Sequence, residues 1–499
     1  MDRGTDSAAA RGTESGVTRG AAGTVTGGGG SPPPEEVASA ALAVLDRGER
    51  GWFVGGCLRD QLLGLPVRDL DIVIDGAPEP FARALADRLG AGVFSSSDEF
   101  GTWRLVLAGL HIDVAALRGA DLEADLRARD FTVDALARPL EGGEVADPLG
   151  GMEDLAARRL RLCAPAALDD DPLRVLRLAR LARGLGFVPD AAATEAAFRA
   201  APGLAAVSGE RQRDELSALL AVADAPAAFR DLAVWGALRE VLPELDGLRG
   251  VEQNPYHHLD VFEHTLEALT YVRGVVEQLG GLAHLATPDD AGLPGAAPLV
   301  PVSWAVLLHD IGKPAARVVD DEGRVIFWHH DEQGRRLTEG IAARLRLSNR
   351  FATYLGTLVR QHLRLGFLVR EQPLTRRALA RYRRDVSPWV FESVVVSLCD
   401  RLATRGERTS AQSLAKHYRL ARTVWSEVSK APPPRILSGD EVMEFLGLGP
   451  GPAVGEALRL LEEEVEAGEI ATPDEARAFL REWWDSGGGD EESSAGEDG

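Results

Sequence analysis

The sequence predicts an α+β fold, in which a small head built on a mixed sheet precedes an all-helical body. Short apolar runs that alternate with helical segments fill residues 36–115, a pattern typical of strands interleaved with helices. From residue 169 onward, apolar residues recur instead with helical spacing, and Pro202, Gly203 and Gly236 punctuate the pattern. The change in period therefore separates the head from the body.

The head is predicted to contain helices and strands in alternation. A first helix covers residues 36–48 on Ala/Leu periodicity, and the apolar strand that follows ends in Gly55-Gly56. The remaining elements are helix 58–63, strand 70–74, helix 78–90, and strands 104–107 and 112–115.

The body is predicted to be helical from residue 169 to about residue 430, with a Gly/Pro/Ala-rich loop inserted at 280–300. Three consecutive prolines, 432–434, mark a boundary before a last small helical unit. We therefore expect a disordered N-terminal segment (1–34), the head (35–165), a helical neck (166–250), a second helical domain (251–430), a C-terminal helical unit (431–484) and a disordered acidic tail (485–499).

The composition narrows the classes of protein. A net charge of −22 argues against a protein that coats nucleic acid nonspecifically, although the Arg-rich stretches 158–183 and 342–384 allow a local basic groove. No apolar run approaches the roughly 20 residues of a membrane helix, and the N-terminus has no apolar signal core. Three widely spaced cysteines fit a reducing cytoplasm and argue against a cysteine-based zinc site.

Three carboxylates in the head indicate a metal site. Asp69 and Asp71 are two residues apart on a predicted strand, so they point to the same face and need a cation. Mg²⁺ prefers such oxygen ligands. If the strand that carries Asp113 pairs with theirs, the third carboxylate completes a site for in-line phosphoryl transfer. Taken alone, Asp113 is more simply a solvated edge residue.

The glycine pair Gly55-Gly56 ends a strand and opens a helix. Glycines at such a turn let backbone N–H groups approach a triphosphate, although most glycine pairs mark plain turns.

Together these features resemble a known family. The run from Val54 to Gly64, followed by Asp69-Leu70-Asp71-Ile72-Val73, resembles the head of class II tRNA nucleotidyltransferases and bacterial poly(A) polymerases. Four later segments agree in order with the family's motifs: 129–137 (RDFTVDALA), 147–155 (DPLGGMEDL), 170–174 (DDPLR) and 208–216 (SGERQRDEL). Ala128 and Asp170 depart from the family's Arg and Glu.

The resemblance implies roles for the head residues. Asp69 and Asp71 would hold Mg²⁺, with Asp113 as the third carboxylate, while the 3′ hydroxyl of an RNA attacks the α-phosphate of CTP or ATP and pyrophosphate leaves. The glycine turn and three further head residues would contact the nucleotide. Two of the three, Arg129 and Asp130, would contact its ribose. The implied nucleotide-binding residues in the head are Gly55, Gly56, Arg59, Arg129 and Asp130.

The segment 169–183 is predicted to start a helix with Pro172 in its first turn. Asp171 and Arg174 are three residues apart and share a face, where they offer acceptors and donors to a base edge. In the family such a pair is understood to select CTP or ATP without a nucleic-acid template. Asp171 could equally cap the helix. Arg177 continues the basic face toward the nucleotide, whereas Arg180 and Arg183 stay open between solvated and functional roles.

Residues 94–104 lie where the family carries a flexible loop associated with adding adenosine. The presence of such a loop favours an enzyme that adds A over an enzyme that adds only CC. An ordinary surface loop is the alternative.

A second constellation gathers histidines and aspartates between residues 257 and 400. His264, His309-Asp310 and Asp400 follow one another in the order H…HD…D, each on its own predicted helix. The order resembles the HD-domain metal-dependent phosphohydrolases, which implies that these four side chains bind a divalent metal. His330 and His362 are candidates for a second metal or for substrate phosphate, and Lys313 for phosphate. A helical scaffold that kept its ligands without activity is the alternative.

The C-terminal unit resembles the closing segment of the same tRNA enzymes. Its glycine-rich stretch, 447–455, precedes a predicted helix, 456–467. Such a helix start can take an RNA phosphate on its N–H groups, and a simple packing turn is equally compatible.

The sequence therefore predicts a cytoplasmic enzyme, bound to no membrane, that adds CCA or part of it to tRNA 3′ ends. Its HD-type domain is expected to add a phosphohydrolase activity. One alternative is a poly(A) polymerase, against which stand the HD-like cluster, the closing segment and the acidic tail. The other is an HD-type phosphohydrolase whose head only binds RNA, against which stand the three carboxylates and the Asp171/Arg174 pair. The motifs leave open whether CCA, CC or A alone is added.

Overall fold

The computed structural model describes residues 32–487, except 47, 98–100, 108, 370–373 and 431–432. The predicted disorder of residues 1–31 and 488–499 thus concerns positions outside the described residues. The chain divides into two compact units, Met1–Ala156 and Ala157–Gly499, so the division precedes the predicted end of the head at residue 165. In the described part of the chain, no helix combines the length and the apolar character needed to cross a bilayer.

The first unit is built on a six-stranded mixed sheet. Its strands are β1 (Gly51–Val54), β2 (Asp69–Ile74), β3 (Gly92–Ser97), β4 (Thr102–Leu107), β5 (Leu110–Ala116) and β6 (Ala137–Pro139), in the order β3-β4-β5-β2-β1-β6. Its helices are α1 (Pro34–Leu42), α2 (Gly56–Leu62), α3 (Pro78–Leu89), α4 (Leu122–Arg127) and α5 (Gly151–Ala157), with a 3₁₀ turn at Thr132–Asp134.

The centre of this sheet is the parallel pair β2 and β5, and the other neighbouring strands run antiparallel. Helix α3 packs against β3, β4 and β5. Ile72, Val73 and Ile74 at the end of β2 are all buried, whereas the first residues of the strand alternate between buried and accessible. The beginning of β2 therefore presents one polar face.

Two predictions for the head are corrected. The helix predicted for 36–48 ends at Leu42, and Gly48, with φ of +96°, lies in the segment between this helix and β1. Much of the predicted loop 94–104 is strand, since β3 and β4 pair as an antiparallel hairpin. Residues 98–100 of that hairpin lie outside the described residues. β3 is an edge strand with a serine-rich end, so it lacks the apolar alternation that reveals a strand in a sequence.

The second unit is mostly helical, as predicted. Its first helices are α6 (Ala167–Asp170), α7 (Arg174–Leu185), α8 (Ala191–Ala200), α9 (Gly209–Leu220), α10 (Ala225–Val234), α11 (Leu238–Val241) and α12 (Pro243–Asp246), with a 3₁₀ turn at Ala201–Ala206. They are followed by α13 (Val261–Gln278), α14 (Pro288–Ala291), α15 (Val300–Leu308), α16 (Lys313–Ala316), α17 (His330–Arg344), α18 (Asn349–Gln361), α19 (Arg364–Leu368), α20 (Arg376–Val386), α21 (Val390–Ala403) and α22 (Ala411–Val428), with a 3₁₀ turn at Leu282–His284.

The second unit also contains two short pairs of strands. A parallel pair joins β7 (Arg159–Leu160) to β8 (Val188–Pro189), and an antiparallel hairpin joins β9 (Arg317–Val319) to β10 (Val325–Phe327). Strands of two or three residues are too short to show a period of two, so only their partners reveal them.

Helix α15 forms the apolar centre of this unit. All nine of its residues are buried, and the indole Nε1 of Trp304 donates a hydrogen bond to Ser217 Oγ on α9 at 3.1 Å. The helix ends at Leu308, so the residues that follow, His309 and Asp310, are attached directly to a buried helix.

The C-terminal helices α23 (Gly439–Leu446), α24 (Pro452–Ala467) and α25 (Pro473–Asp485) enclose a small core of their own. Helix α24 starts four residues earlier than predicted, at a proline that suits the first turn. Its glutamates Glu463 and Glu466 form ion pairs with arginines of α20, so part of the Arg-rich stretch 342–384 is neutralised within the protein. The αL conformations of Gly447 and Gly468 end α23 and α24, and both glycines therefore have a capping role.

Candidate functional site

The three acidic side chains of the head lie on adjacent parallel strands. In the register of β2 and β5, Asp71 is opposite Asp113 and Asp69 is opposite His111. Asp69, Asp71 and Asp113 share one face because residues two apart in a strand point the same way. The predicted pairing of the two strands is therefore confirmed, and it brings three oxygen-bearing side chains to one part of the sheet.

Two basic side chains that the sequence analysis did not assign meet these carboxylates. Arg104 on β4 donates two hydrogen bonds to Asp113, from Nε and Nη2, both at 2.7 Å. That contact raises the pKa of the Arg104 guanidinium despite its partial burial. His111 Nδ1 lies 3.1 Å from Asp69 Oδ1. Only the register of β4 and β5, which places Arg104 opposite Asp113, could have revealed the first pair.

The glycine turn has a steric reason. Gly55 has φ of +77°, and a Cβ atom there would lie 2.9 Å from Arg129 Nη1 and 3.2 Å from Asp71 Oδ2. Any side chain at this position would therefore be strained and would push against both neighbours. The turn brings the backbone at Gly55 close to the carboxylate of Asp71 and the guanidinium of Arg129, and α2 begins at Gly56.

The other predicted nucleotide contacts in the head are held by protein partners. Arg59 is buried and donates to Asp134 at 2.6 Å. Arg129 pairs with Asp125 at 3.1 Å, and Asp130 is buried with its Oδ1 accepting from the Phe131 N–H at 2.9 Å. The contacts of Arg129 and Asp130 with a ribose and of Arg59 with the nucleotide stay predictions, and the pairing of Arg59 with Asp134 also supports the packing of α2.

The Asp171/Arg174 pair of the second unit has a third member. Arg174 Nε lies 3.9 Å from Asp171 Oδ2, and Arg211 Nη2 donates to the same oxygen at 2.7 Å. Arg211 lies in the segment 208–216 that carried the family resemblance, and that segment is the signal by which it could have been assigned. Arg174 is fixed by its donation to the Ala167 carbonyl at 3.0 Å.

The start of α7 differs from the prediction. The helix begins at Arg174, so Pro172 lies in the turn before it and not in the first helical turn. Asp171 Oδ1 accepts from the Leu173 N–H at 3.3 Å, which closes that turn. The N-cap position of α7 is occupied by Leu173, the residue before Arg174. Asp171 is therefore not the N-cap of this helix.

The three arginines that follow on α7 pair with carboxylates of neighbouring helices. Arg177 and Arg180 contact Glu215 on α9 at 3.5 and 2.9 Å, and Arg183 contacts Asp231 on α10 at 2.6 Å. For Arg180 and Arg183, which the sequence left open, the pairs indicate a structural role. Arg177 stays a predicted nucleotide contact.

The histidines and aspartates of the second unit converge, as the order H…HD…D predicts. His264 on α13, His309 and Asp310 after α15, and Asp400 on α21 form the core of the cluster. His264 Nε2 lies 3.1 Å from Asp400 Oδ1 and 3.6 Å from Asp310 Oδ2, and His309 Nε2 lies 3.2 Å from Asp310 Oδ2.

Backbone carbonyls orient three of the imidazoles toward the centre. Nδ1 lies 2.7–2.8 Å from a carbonyl oxygen three residues earlier in His309, His330 and His362. With the proton on Nδ1, each Nε2 is left to bind a cation, as in most metal-ligating histidines.

The donor set fits a divalent metal. His264, His309 and Asp310 offer ligand atoms within 4.8 Å of one another, and so do Asp310, His330 and His362, so Asp310 belongs to both groups. His309 Nε2 is buried and satisfies no hydrogen bond among the described residues. Burial opposes ionisation of Asp400, yet the hydrogen bond from His264 and the charge of His309 hold its pKa well below the usual range. Burial also lowers the pKa of His362 to about 4, so this candidate ligand is neutral at pH 7.

One candidate ligand was missed. His257 lies in the segment before α13, and with His264 and Asp400 it forms a third group within the same distance limit. Its ring stands edge-on to that of His264, with 4.9 Å between centroids. The signal in the sequence is its position seven residues before His264, but α13 starts only at Val261, so no helical periodicity connects the two.

A sheet with three carboxylates on one face, and a helical cluster of histidines and aspartates, define the class: a nucleotidyltransferase head joined to an HD-type helical body. Family models agree with each part. The model of the poly A polymerase head domain matches residues 51–161, the HD domain matches 261–405, and the probable RNA and SrmB-binding site of polymerase A matches 186–248.

Two characterised relatives narrow the class. The chain is 39% identical to an A-adding tRNA nucleotidyltransferase of Deinococcus radiodurans over 441 residues, which cover 86% of this chain and 95% of the relative. It is 37% identical to a CC-adding tRNA nucleotidyltransferase of Thermus thermophilus over 443 residues, which cover 86% and 93%. The chain belongs to the tRNA nucleotidyltransferase family.

The fold agrees with a solved member. The Bacillus stearothermophilus CCA-adding enzyme in complex with CTP superposes with a TM-score of 0.61 at 24% identity, covering 91% of this chain and 99% of that one. At this identity the likeness shows the fold, and the α+β class predicted from the sequence is confirmed.

Proposed function

We propose that this enzyme adds nucleotides without a template to the 3′ end of tRNA, making all or part of the CCA sequence from CTP and ATP. The observation that carries the proposal is the placement of Asp69, Asp71 and Asp113 on one face of adjacent parallel strands, in a chain of this family. The relatives with 39% and 37% identity are named for adding A and for adding CC, respectively.

The proposed chemistry forms a bond between the 3′ oxygen of the tRNA and the α-phosphorus of the nucleotide. The bond from that phosphorus to the oxygen bridging to the β-phosphate breaks, and pyrophosphate leaves. Asp69, Asp71 and Asp113 would hold Mg²⁺, which when bound supplies positive charge to the phosphates. Arg129 beside Gly55, and Asp130 after it, would contact the ribose.

Selection of the base is assigned to the Asp171/Arg174 pair. Arg211 holds the Asp171 carboxylate and the Ala167 carbonyl holds Arg174, so both side chains keep one orientation. Fixed donors and acceptors can distinguish the edges of cytosine and adenine, because a mismatch leaves a polar group unpaired.

The test is incorporation into tRNA transcripts that end before C74, before C75 or before A76. Purified protein is incubated with each transcript and with labelled CTP, ATP, GTP or UTP. We expect incorporation that stops at the complete CCA end, with CTP and ATP only. Which transcripts are extended tells CCA, CC and A addition apart. Long A tracts, or no incorporation, would contradict the proposal.

For the HD-type domain we propose a metal-dependent phosphohydrolase centre, with His264, His309, Asp310 and Asp400 as ligands and His330 and His362 available for a second ion or for phosphate. The support is the convergence of these side chains, all buried except the half-buried Asp400, and the unsatisfied Nε2 of His309. In the reaction, the oxygen of a water bonds to phosphorus, an ester P–O bond breaks, and the leaving oxygen takes up a proton.

This second proposal is tested by metal content and by hydrolysis of bis(4-nitrophenyl) phosphate. Metal analysis of the purified protein is expected to find bound divalent ion, reduced in His309→Ala. Hydrolysis is expected to follow the metal content, and bound ion without any hydrolysis would leave the centre as a structural site.

A further inference from the structure

A cavity of about 560 Å³ opens beside the histidine–aspartate cluster. Asp310, His330, His362 and Asp400 lie on one part of its wall. The volume suits a nucleotide-sized ligand and exceeds the space that a single phosphate needs. The rest of the wall is therefore expected to contact the part of a substrate that extends beyond a phosphate bound at the cluster.

Two cations on that remaining wall have no carboxylate partner within ion-pair distance in the described part of the chain. They are Arg401, the residue after Asp400 on α21, and Lys416 on α22. Arg401 Nη2 donates to the neutral Ser413 Oγ at 2.6 Å, which fixes the guanidinium without neutralising it. Lys313, the third cation of the wall, differs because it lies 2.6 Å from Asp310.

The lysines are informative in this chain because there are only three, Lys313, Lys416 and Lys430, among 55 basic residues. Two of the three line this cavity. Nearby arginines are compensated: Arg405 contacts Glu267 at 3.5 Å and Arg364 contacts Asp385 at 2.8 Å. An uncompensated pair of cations in a concave site attracts an anion, even in a protein with a net charge of −22.

We infer that Arg401 and Lys416 bind a second, non-reacting phosphate of the substrate that is hydrolysed at the cluster. The inference rests on the proposed phosphohydrolase function. The guanidinium that Ser413 fixes and the exposed ammonium of Lys416 line one cavity, and both can donate to a tetrahedral anion with several oxygens. Because the chain belongs to the tRNA nucleotidyltransferase family, the substrate class that we infer is a ribonucleotide with two phosphates: an RNA end with its penultimate phosphodiester, or a free nucleoside bisphosphate.

The kinetic test compares two substrates that differ by one phosphodiester-linked nucleotide. The full-length, metal-loaded protein is assayed with adenosine 2′,3′-cyclic monophosphate and with the dinucleotide ApA that carries the same cyclic phosphate at its 3′ end. We expect kcat/KM to be at least tenfold higher for the dinucleotide. Lys416→Gln and Arg401→Gln should lower this ratio toward one, and the matched control Lys430→Gln should keep it, because Lys430 pairs with Glu427 away from the cavity.

A binding test does not depend on turnover. Calorimetric titration with adenosine 3′,5′-bisphosphate and adenosine 3′-monophosphate compares the wild type with the same three variants. Binding in this cavity is measured as the heat that Lys416→Gln and Arg401→Gln lose and that Lys430→Gln keeps. Binding elsewhere on the chain contributes equally in all variants. ApA that carries a 3′-phosphate is titrated in the same way. Tighter binding of this dinucleotide than of the bisphosphate indicates an RNA end, and the reverse indicates a free nucleotide.

The outcomes separate the two proposals. If the wild type hydrolyses neither substrate yet the binding difference is present, the phosphohydrolase proposal fails and the second-phosphate site stands. If the Arg401 and Lys416 variants keep both the ratio and the binding of the wild type, the second-phosphate site is overturned whatever the hydrolysis shows. Thermal unfolding of each variant checks the fold, and Lys416, which is exposed, carries the test if Arg401→Gln unfolds.

Discussion

Single residues set the chemistry of the head through contacts that the residue type alone does not reveal. Asp113 is the predicted third carboxylate of the catalytic site, and the guanidinium of Arg104 holds it by two hydrogen bonds. A guanidinium in that position compensates negative charge that would otherwise accumulate beside Asp69 and Asp71. The guanidinium therefore offsets part of the negative charge of the three carboxylates.

At Asp171 the residue scale leads to a prediction about fidelity. Substituting Asp171→Ala removes the proposed base-reading acceptor and the partner of Arg211, so the choice between CTP and ATP should become less selective, with a smaller effect on the rate. We expect misincorporation to rise at least tenfold, measured as the ratio of kcat/KM for the two nucleotides on one tRNA transcript.

Arg211→Gln is the matched variant, because it removes the hold on Asp171 and leaves the carboxylate in place. It should show a smaller loss of selectivity in the same direction. Unchanged fidelity in Asp171→Ala would refute the base-reading role.

His417 gives a prediction about pH. Burial lowers its pKa to about 4, and its Nε2 lies 3.3 Å from Ser397 Oγ. Because the unfolded side chain titrates near 6.5, the unfolded state binds a proton between pH 6.5 and 4 that the folded state excludes. The contribution of His417 to stability is therefore complete above pH 6.5 and is lost as the pH falls toward 4.

The measurement is urea unfolding of the wild type and of His417→Gln at pH 7.5 and pH 5. Between the two pH values, the wild type should lose about 2 kcal/mol more unfolding free energy than the variant, from 1.36 kcal/mol per pKa unit. Equal losses would show that His417 titrates normally in the folded protein.

At the scale of elements, ion pairs connect helices α20 and α24. Glu463 accepts from Arg381 at 2.7 Å and also contacts Arg384, while Glu466 contacts Arg383 at 3.3 Å. Although burial opposes it, the two arginines lower the pKa of Glu463. The C-terminal helices have their own apolar core, so these ion pairs are what adds specificity to the packing of α24 on α20.

Glu463→Gln is expected to weaken this helix pairing by about 1 kcal/mol, since it removes two partly buried pairs. Amide hydrogen exchange should become faster in α24 and α20, while α15 keeps its protection. Glu456→Gln on the same helix is the control, because Glu456 contacts only Arg459 of α24 itself, at 3.9 Å, among the ion pairs of the described residues. Equal rates of amide hydrogen exchange in the two variants would show that Glu463 does not stabilise the packing of α24 on α20.

At the scale of the whole molecule, the two metal-type centres belong to different compact units. Asp71 lies in the unit that ends at Ala156, and His309 lies in the unit that begins at Ala157. We expect Asp71→Ala to lower nucleotide addition by at least a thousandfold and to leave hydrolysis of bis(4-nitrophenyl) phosphate within twofold of the wild type.

His309→Ala should show the reverse pattern in the same two assays. Both activities are measured on one preparation of each variant, with metal content as a control for the HD-type centre. Loss of both activities from either substitution would show that the centres are coupled, which contradicts their assignment to separate reactions.

The α+β class and the residues that converge in the candidate centres, apart from His257, could be predicted from the sequence, because they depend on local signals. Periodicity of apolar residues reveals long elements such as α13, α15 and β2, and ordered motifs reveal the family. The same signals placed the C-terminal helices after three prolines. Each of these features is expressed within a short stretch of chain.

Only the tertiary structure decided which side chains meet across elements. The pairs of Arg104 with Asp113 and of Arg211 with Asp171, the approach of His257 to His264, and the cations beside the HD-type cluster join residues that no periodicity connects. The physical reason is that strand register and helix packing result from burial summed over many contacts, whereas a sequence pattern records only its own neighbourhood.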